Sequence, residues 1–332
     1  MFETVYIEED IASHPRIREI VERLPHATLV SCHRFGEVFN RGAQSFRLQK
    51  RRPALVLARK HGELVLPAPS RHGGGRTHEY YFSHAYNCVF DCRYCFLQGM
   101  FRSAHLVVFV NFEDFASAIE ERARDAARDG VEPMFYSGYD TDSLALEPLT
   151  GFADHFLDVF AAIPGAWLEL RTKSVQVRGL LDREPLDRVV VAFSITPEAI
   201  RKEVEHGVPP LARRLDAIER LQSRGWRIGL HFDPMVWRPD WRELYRDLVE
   251  GVFERIDPGA LHSVSVGAFR VPRDYFRAMT REDPDERIFA AKLEDRDGMV
   301  SYPKELEREM VGFLTEELAR RAPAAALTRC VL

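Results

Sequence analysis

Three cysteines dominate the chemistry that this sequence could perform. Cys88, Cys92 and Cys95 lie in the segment YNCVFDCRYCFLQGMF with the spacing C-x3-C-x2-C, and aromatic residues stand between them. The chain holds 5 cysteines, and the other two, Cys32 and Cys330, are isolated in sequence. Thiolates on one short loop can converge on a metal centre, so the pattern predicts a metal site.

The missing fourth cysteine favours an iron–sulfur cluster over zinc. Structural zinc usually has four protein ligands, often as two separated pairs, and this sequence has no second pair. A cluster held by three cysteines leaves one iron open for a ligand that is not protein. Zinc bound by the three cysteines and a histidine, such as His84 or His105, stays the alternative.

A regular alternation of strands and helices begins just before the cysteines. Apolar, β-branched segments alternate with segments of helical periodicity. Six such units in a row predict an α/β fold with a parallel sheet and helices outside it, either doubly wound or a partial barrel. The predicted strands are 79–87, 131–138, 166–173, 188–196, 226–235 and 261–270.

The chain divides into three expected regions. Residues 1–79 form an N-terminal extension with a basic arm, 80–282 the barrel with the cysteine loop, and 283–332 a C-terminal segment with a closing helix. The basic arm, 41–76, contains nine arginines and lysines and a single acid, Glu63. On a protein of net charge -5, this excess indicates contact with a polyanion or, equally, a solvated arm.

Composition places the protein among soluble globular proteins, with 45% hydrophobic and 29% charged residues. No apolar run approaches the roughly 18 residues of a membrane helix, and the acidic N-terminus does not have the layout of a secretory signal. We therefore expect a cytoplasmic protein with no membrane association, and a monomer.

Polar residues follow the predicted strands at their carboxyl ends, where parallel α/β folds gather functional groups. A lysine, a histidine and an arginine at one rim indicate an anionic or zwitterionic ligand. These strand-end residues are Ser137 to Asp142, Thr172, Lys173, Ser194, Thr196, His231, Asp233 and Arg270.

The cysteine spacing, with Tyr94 just before the last cysteine, resembles the radical S-adenosylmethionine superfamily. The resemblance implies a [4Fe–4S] cluster whose open iron binds S-adenosyl-L-methionine, and a partial (β/α)6 TIM-type barrel that agrees with the six units. It also implies reductive cleavage of S-adenosylmethionine to a 5′-deoxyadenosyl radical, with an electron from a low-potential donor such as flavodoxin or ferredoxin.

A narrower resemblance is to the spore photoproduct lyase family. It rests on CRYCFLQGMFRSAHLVVFVNFEDF, RTKS and FSIT, and covers roughly 80–270. The resemblance implies that Lys173 and Ser194 contact S-adenosylmethionine, and that the segment containing Ser137, Asp140 and Asp142 lies beside the methionine and the substrate. Tyr94 is placed to pack against the adenine.

The sequence departs from this family at the cysteine that returns a hydrogen atom to the product radical. The corresponding stretch, YSGYDTDSLALE, has no cysteine, and Tyr139 occupies its place. The tyrosine after the last cluster cysteine is replaced by Phe96. Three interpretations stay open: Tyr139 is the donor, Cys330 in the C-terminal tail substitutes, or the reaction differs. Tyr139, Tyr94 and Cys330 are therefore the candidate catalytic residues.

The leading functional prediction is a radical S-adenosylmethionine lyase that repairs a thymine-dimer-type lesion in DNA. One alternative keeps the radical chemistry and changes the substrate to another nucleic-acid base, a peptide or a small molecule. A second alternative is a non-catalytic nucleic-acid-binding protein stabilised by a metal.

Overall fold

The computed structural model describes residues 2–69, 78–322 and 327–330, with only the backbone for Cys330. Four sheets organise this part of the chain. The strands are β1 (Thr4–Glu8), β2 (Thr28–Cys32), β3 (Leu55–Ala58), β4 (Val65–Pro67), β5 (Glu79–Phe82), β6 (Ala85–Tyr86), β7 (Asp91–Cys92), β8 (Leu106–Phe109), β9 (Met134–Tyr136), β10 (Trp167–Thr172), β11 (Val189–Ser194), β12 (Glu205–His206), β13 (Arg227–Met235), β14 (Leu261–Ala268), β15 (Arg270–Pro272), β16 (Glu294–Arg296), β17 (Met299–Ser301) and β18 (Leu327–Cys330).

The helices separate these strands along the chain. They are α1 (Pro15–Glu22), α2 (Phe46–Arg51), α3 (Leu97–Met100), α4 (Phe112–Arg128), α5 (Glu147–Thr150), α6 (Phe152–Ala162), α7 (Arg178–Leu181), α8 (Glu198–Val204), α9 (Leu211–Arg224), α10 (Trp241–Phe253), α11 (Arg273–Glu282) and α12 (Lys304–Ala319).

The predicted parallel barrel is confirmed. Its sheet has the order β18-β14-β13-β11-β10-β9-β5-β4, and β5, β9, β10, β11, β13 and β14 are parallel neighbours. These six strands correspond to the six predicted ones, except that the first ends at Phe82 and the end of the predicted segment forms β6 in another sheet. The sheet stays open because its edges are the antiparallel β4 and the C-terminal β18, which do not pair with each other. The fold is thus a partial barrel with helices on its outer face.

Most predicted helices are present, with two local differences. Residues 147–163 have the periodicity of a single helix. They divide into α5 and α6 because Gly151 adopts a left-handed conformation, with a φ of 61°. Helix α8, between β11 and β12, was not predicted, since only two apolar residues of it are buried, Ile200 and Val204. The closing helix α12 is present and packs on α10 and β14.

The described part of the basic arm is folded against the rest of the chain, although Arg41, Arg51 and Arg52 stay exposed. The N-terminal region forms a sheet of order β2-β1-β3-β8-β6, in which β3 is buried throughout, and β8 enters it from beyond the cysteines. Several basic residues of the predicted arm have partners inside the protein: Arg47 contacts Asp91, and Lys50 donates to the Cys88 carbonyl. Arg71, Arg76 and the glycines between them lie outside the described residues. The boundary at 79 stays a prediction.

Phenylalanines fill the space between the first barrel strand and the helices over it. Phe82 of β5 packs on Phe152 and Phe156 of α6, and both contact Phe112 at the start of α4. Their burial anchors the strand that leads into the cysteine loop. Within the described residues, no helix is long and apolar enough to cross a membrane.

Candidate active site

A cavity of about 490 Å³ lies at the carboxyl ends of the barrel strands. The cysteine loop (88–95) closes one side of it. Much of the rest of the wall comes from residues at and just after the ends of β9, β10, β11, β13 and β14, and Tyr81 and Tyr275 also line it. The thiols and the strand-end polar groups therefore line the same cavity. This is expected because the carboxyl ends of parallel strands lie at the same end of the barrel.

Backbone contacts fix the cysteine loop. Asn87 has a φ of 65°, in the left-handed region that asparagine tolerates, and its amide donates to the Ser103 and His105 carbonyls at 2.7 and 2.8 Å. Cys92 is paired with Glu205 in the two-stranded β7–β12 sheet. The Gln98 amide donates to the Cys92 carbonyl at 2.6 Å. The loop is thus bound at its entrance, centre and exit.

The three thiols lie in an environment that disfavours free thiolates. Burial raises the pKa of Cys88 to about 12, and it also raises the pKa of Cys92 and of Cys95. A metal must displace these protons on binding, and its positive charge would supply the stabilisation that the surrounding protein does not.

The spacing of the sulfurs fits a cluster better than a single ion. With zinc–sulfur bonds of about 2.3 Å, tetrahedral ligand sulfurs lie about 3.8 Å apart. Within the described residues, three candidate ligand atoms come within 4.8 Å of one another only at Glu8, Asp10 and His61, and not among the cysteines. A cluster receives each sulfur on a different iron, so it accepts the wider spacing.

Neither histidine considered as a fourth zinc ligand is among the residues that line the cavity beside the three thiols. His84 is 3% exposed and stacks on Phe152 with ring centroids 3.5 Å apart. Nδ1 of His105 accepts a hydrogen bond from the Ala54 backbone at 3.0 Å. The geometry therefore does not support the zinc alternative.

Lys173, Ser194 and Tyr94 line the cavity together. Lys173 follows β10, and its ammonium lies 5.6 Å from the centroid of the Tyr94 ring. Ser194 ends β11, the neighbouring strand. The structure thus brings a cation, a hydroxyl and an aromatic ring beside the three thiols, a set that can bind a carboxylate, a ribose and a base.

Glu205 joins the cysteine loop to the barrel, and no sequence motif marks it. It is fully buried and accepts hydrogen bonds from the Tyr94 hydroxyl and from Thr196, the latter at 2.9 Å. Arg214 of α9, also fully buried, pairs with it at 3.3 Å and donates to the Ser194 carbonyl at 2.6 Å. This pair therefore fixes the position of Tyr94, through its hydroxyl, relative to that of Ser194, through its backbone carbonyl.

Asp142 lines the cavity, but its carboxylate is engaged by the protein. It accepts from the backbone amides of Leu144, Ala145 and Lys173, and from the Thr172 hydroxyl. These bonds hold the loop after β9 against the end of β10. Asp142 therefore positions Lys173 and has little capacity left for a ligand.

Ser137 and Asp140 lie behind the wall, and neither is among the residues that line the cavity, so their expected contact with S-adenosylmethionine stays a prediction. Ser137 is fully buried, and its hydroxyl bonds to Ser143 and to the Glu169 carbonyl. Asp140 is 4% exposed and accepts from the Ser83 hydroxyl. The loop after β9 folds so that both side chains lie in the protein interior.

Tyr139 faces the cavity at the end of β9. Its ring centroid lies 4.5 Å from that of Tyr81 and 5.5 Å from that of Phe96. Burial, followed by the charge of Asp140, raises the pKa of Tyr139 to about 12. The phenol therefore keeps its O–H bond over the whole ordinary pH range.

Cys330 lies on the edge of the barrel. The C-terminal tail forms β18, which pairs with β14 so that the Cys330 backbone is opposite Gly267. Gly267 lies against Arg270 and Asp233, since a Cβ at this position would be 2.6 Å from the first and 2.9 Å from the second. Both of these residues line the cavity. The tail therefore reaches the strand next to the cavity wall.

Ion pairs lie on the side of the cavity formed by the ends of β10, β13 and β14. Arg270 and Asp233 form a double hydrogen bond, with both N···O distances 2.9 Å. Burial alone would raise the pKa of Glu169, but Arg171 and then His231 lower it to about 2. His231 also bonds to Ser265. The strand-end charges thus compensate one another, and His231 and Arg270 have protein partners.

Comparison with known proteins agrees with this architecture. The model of the spore photoproduct lyase family matches residues 44–287. The chain is 24% identical over 188 residues to the spore photoproduct lyase of Bacillus subtilis (strain 168), covering 56% of this chain and 54% of that protein. It is 26% identical over 184 residues to that of Geobacillus sp. (strain Y412MC61), covering 54% and 52%. The matches span about half the length of these curated relatives.

Solved structures of spore photoproduct lyase share the fold. One, a double mutant with bound AdoMet and dinucleoside spore photoproduct, superposes with a TM-score of 0.85 at 19% identity, over 100% of this chain and 99% of that one. Another, complexed with dinucleoside spore photoproduct, gives a TM-score of 0.83 at 18% identity, over 100% and 98%. At this identity the similarity establishes the fold.

Proposed function

Because the chain belongs to the spore photoproduct lyase family, we propose that it is a radical S-adenosylmethionine lyase acting on a thymine-dimer-type DNA lesion. The observation that supports this most is the meeting of Cys88, Cys92 and Cys95 with Lys173 and Ser194 in one cavity. The curated relatives carry the name of this lyase, and related structures hold AdoMet and the dinucleoside lesion.

The proposed cofactors are a [4Fe–4S] cluster and S-adenosyl-L-methionine. The cysteines would bind the cluster, which supplies the electron that splits S-adenosylmethionine to a 5′-deoxyadenosyl radical. Lys173 would pair with the methionine carboxylate, Ser194 would hydrogen-bond the ligand, and Tyr94 would pack against the adenine while Glu205 holds its hydroxyl. The apolar wall at Phe96 and Phe269 would keep water away.

Tyr139 is the proposed hydrogen-atom donor. Its position at the cavity wall and its retained O–H bond support this role. The product radical would take a hydrogen atom from the phenol, and the resulting phenoxyl would regain one electron from the reductant and one proton from solvent. Cys330 is the second candidate, supported by the pairing of β18 with β14.

The proposed partners are DNA containing the lesion and a low-potential electron donor such as flavodoxin or ferredoxin. The proposed setting is the cytoplasm, and the proposed state is a monomer. Because the cavity lies at the end of the barrel, a lesion stacked inside a duplex would not reach it, and an extruded lesion is the proposed form of the substrate.

A second candidate is the same radical chemistry on a different substrate: another nucleic-acid base, a peptide or a small molecule. The observation that favours it is Tyr139 itself, because a phenol returns a hydrogen atom with a different driving force from a thiol. The non-catalytic alternative, a metal-stabilised nucleic-acid-binding protein, predicts no cleavage of S-adenosylmethionine.

The experiment is an anaerobic assay of the reconstituted, reduced protein with S-adenosylmethionine and the synthetic dinucleoside lesion. The proposal predicts 5′-deoxyadenosine together with restoration of the two thymines. Cleavage of S-adenosylmethionine with an untouched lesion would support the second candidate. Absence of 5′-deoxyadenosine, with zinc bound in place of iron, would support the non-catalytic one.

A further inference from the structure

Helix α2 lies against the cysteine loop from outside the barrel. Its Lys50 ammonium donates to the Cys88 carbonyl at 2.6 Å. One turn earlier, Arg47 donates to both carboxylate oxygens of Asp91, at 3.0 and 3.1 Å, and to the side-chain carbonyl of Gln98. Residues three apart share a face of a helix, so this face is turned towards the loop.

The contacts made by Arg47 extend to the carbonyl of a second cysteine. The Gln98 amide donates to Asp91 at 3.0 Å and to the Cys92 carbonyl at 2.6 Å. Arg93 also lies 3.6 Å from Asp91 and pairs with Asp283, just after α11. The helix, the loop and the segment after α11 are therefore held by one set of ion pairs and amide bonds.

The two cations that α2 turns towards the loop, Arg47 and Lys50, differ in whether a carboxylate balances their charge. The charge of Arg47 is balanced by Asp91, and Asp283 lies 3.8 Å away. The Lys50 ammonium bonds to a neutral carbonyl, and among the described residues no carboxylate forms an ion pair with it. Its positive charge therefore acts on the loop with little cancellation, in a partly buried position where water screens it weakly.

We propose that Arg47 and Lys50 are positioning residues for the cysteine loop, and that the uncompensated charge of Lys50 makes the cluster easier to reduce. The inference rests on the proposed cluster. Reduction adds one negative charge to a cluster, and a nearby cation stabilises the reduced form. Residues outside the ligand set commonly tune a metal centre in this way.

The test of Lys50 is a redox titration of the reconstituted protein, followed by the electron paramagnetic resonance of the reduced cluster. Lys50→Met is expected to lower the midpoint potential, so that at a fixed solution potential the reduced-to-oxidised ratio falls about tenfold, or about 59 mV for one electron. Lys50→Arg, which keeps the charge and the donor, is expected to titrate like the wild type. Lys304→Met, at an exposed lysine of α12, is the matched control.

The test of Arg47 is the rate at which a chelator removes iron. Arg47→Met is expected to lose iron about 10- to 100-fold faster, as is usual when an outer contact of a metal site is removed. Its midpoint potential is expected to change less than that of Lys50→Met, because Asp91 already balances the Arg47 charge.

Two results would overturn the inference. Equal midpoint potentials for wild type and Lys50→Met would show that the charge does not act on the cluster, and so would a shift in Lys50→Arg as large as in Lys50→Met. If Lys50→Met retains its circular dichroism but assembles no cluster, Lys50→Gln, which keeps a donor, takes its place under the same criterion. Failure of the wild type itself to assemble a cluster would reject the proposed function instead.

Discussion

The cavity has two sides that come from different parts of the chain. On the cofactor side lie the three thiols of the cysteine loop, with Lys173 and Ser194 from β10 and β11. On the tyrosine side lie Tyr81, Tyr139 and Tyr275. The cofactor side has every residue type that the family resemblance assigns to it, whereas the tyrosine side has a phenol where the family has a thiol. In the proposed reaction, the residues that would act at its start and at its end therefore lie on different sides of the cavity.

The two sides also differ in how they are held. The cofactor side is fixed by buried charge, above all the Glu205–Arg214 pair, and by backbone carbonyls that accept from side chains. The tyrosine side is held by ring contacts, such as that between Tyr81 and Tyr139. Ring contacts tolerate exchange of one aromatic residue for another more readily than a buried ion pair tolerates loss of a partner. The tyrosine side is thus the part where the chemistry can change without loss of the fold.

The largest expected effect is on the cofactor side. Cys92→Ala removes one of the three proposed cluster ligands and is expected to abolish both the bound iron and the cleavage of S-adenosylmethionine. Metal analysis and product chromatography check this. Cys32→Ala, in the N-terminal sheet, is the control and should retain both. Iron content equal to that of the wild type in Cys92→Ala would contradict the ligand assignment.

Glu205→Ala is expected to destabilise the protein. It leaves Arg214 buried without its carboxylate, which costs about 3–5 kcal/mol of the free energy of unfolding. Urea unfolding measures it. Glu203→Ala, two residues earlier and solvent-accessible, is expected to cost less than about 1 kcal/mol. Equal stability of the two variants would show that the buried pair does not hold the cofactor side.

Lys173→Met is expected to weaken binding of S-adenosylmethionine to the cluster-loaded protein about 10- to 100-fold, since a charged hydrogen bond contributes about 1.5–3 kcal/mol. Equilibrium dialysis measures the dissociation constant, with Lys202→Met at an exposed site as control. Unchanged affinity would remove Lys173 from the ligand set.

Tyr139→Phe tests the tyrosine side. Without the phenolic hydrogen, the product radical is quenched less efficiently, so the 5′-deoxyadenosine formed per lesion repaired is expected to rise roughly tenfold, equal to about 1.4 kcal/mol in the reacting step. Tyr81→Phe is the matched control on the neighbouring ring. A changed ratio in Cys330→Ser, with none in Tyr139→Phe, would assign the donor role to the C-terminal cysteine.

The smallest expected effect is in the pH dependence of this step. Burial and then Asp140 raise the pKa of Tyr139 to about 12, so its phenol stays protonated as the pH rises to about 10. The ratio of products should stay flat up to that pH in the wild type. In Tyr139→Cys the same burial and the same Asp140 charge would raise the pKa of a thiol above its usual value of about 8.5, but the thiol would still ionise at a lower pH than the phenol, so the ratio should begin to change at a lower pH than in the wild type. Identical profiles would exclude titration at this position from the step.

The barrel strands and the cysteine loop could be predicted from the sequence because their signals are local. Each strand is a short apolar run followed by polar residues, and the three thiols lie close together in the chain. The inward placement of Ser137 and Asp140 could not be predicted, since it depends on how the loop after β9 folds back on β10. Glu205 and Arg214 were missed because neither stands in a motif, and their pairing depends on α8 and α9 meeting β7 and β11.

The basic arm was misread for a related reason. Charge counted along the sequence indicates a solvated surface, but α2 turns Arg47 and Lys50 towards acceptors on the cysteine loop. Net charge per segment does not reveal which cations have partners elsewhere in the chain. The sequence shows Arg47 and Lys50, but it does not show that their partners lie on the cysteine loop.

The most direct test of the cofactor side is the electron paramagnetic resonance of the anaerobically reconstituted, dithionite-reduced protein, recorded with and without S-adenosylmethionine. We predict about four irons per chain, as the proposed [4Fe–4S] cluster requires, and a cluster signal that changes when S-adenosylmethionine is added, because that ligand would bind the iron without a cysteine. A cluster signal indifferent to S-adenosylmethionine, or a colourless protein with one zinc per chain, would contradict the account.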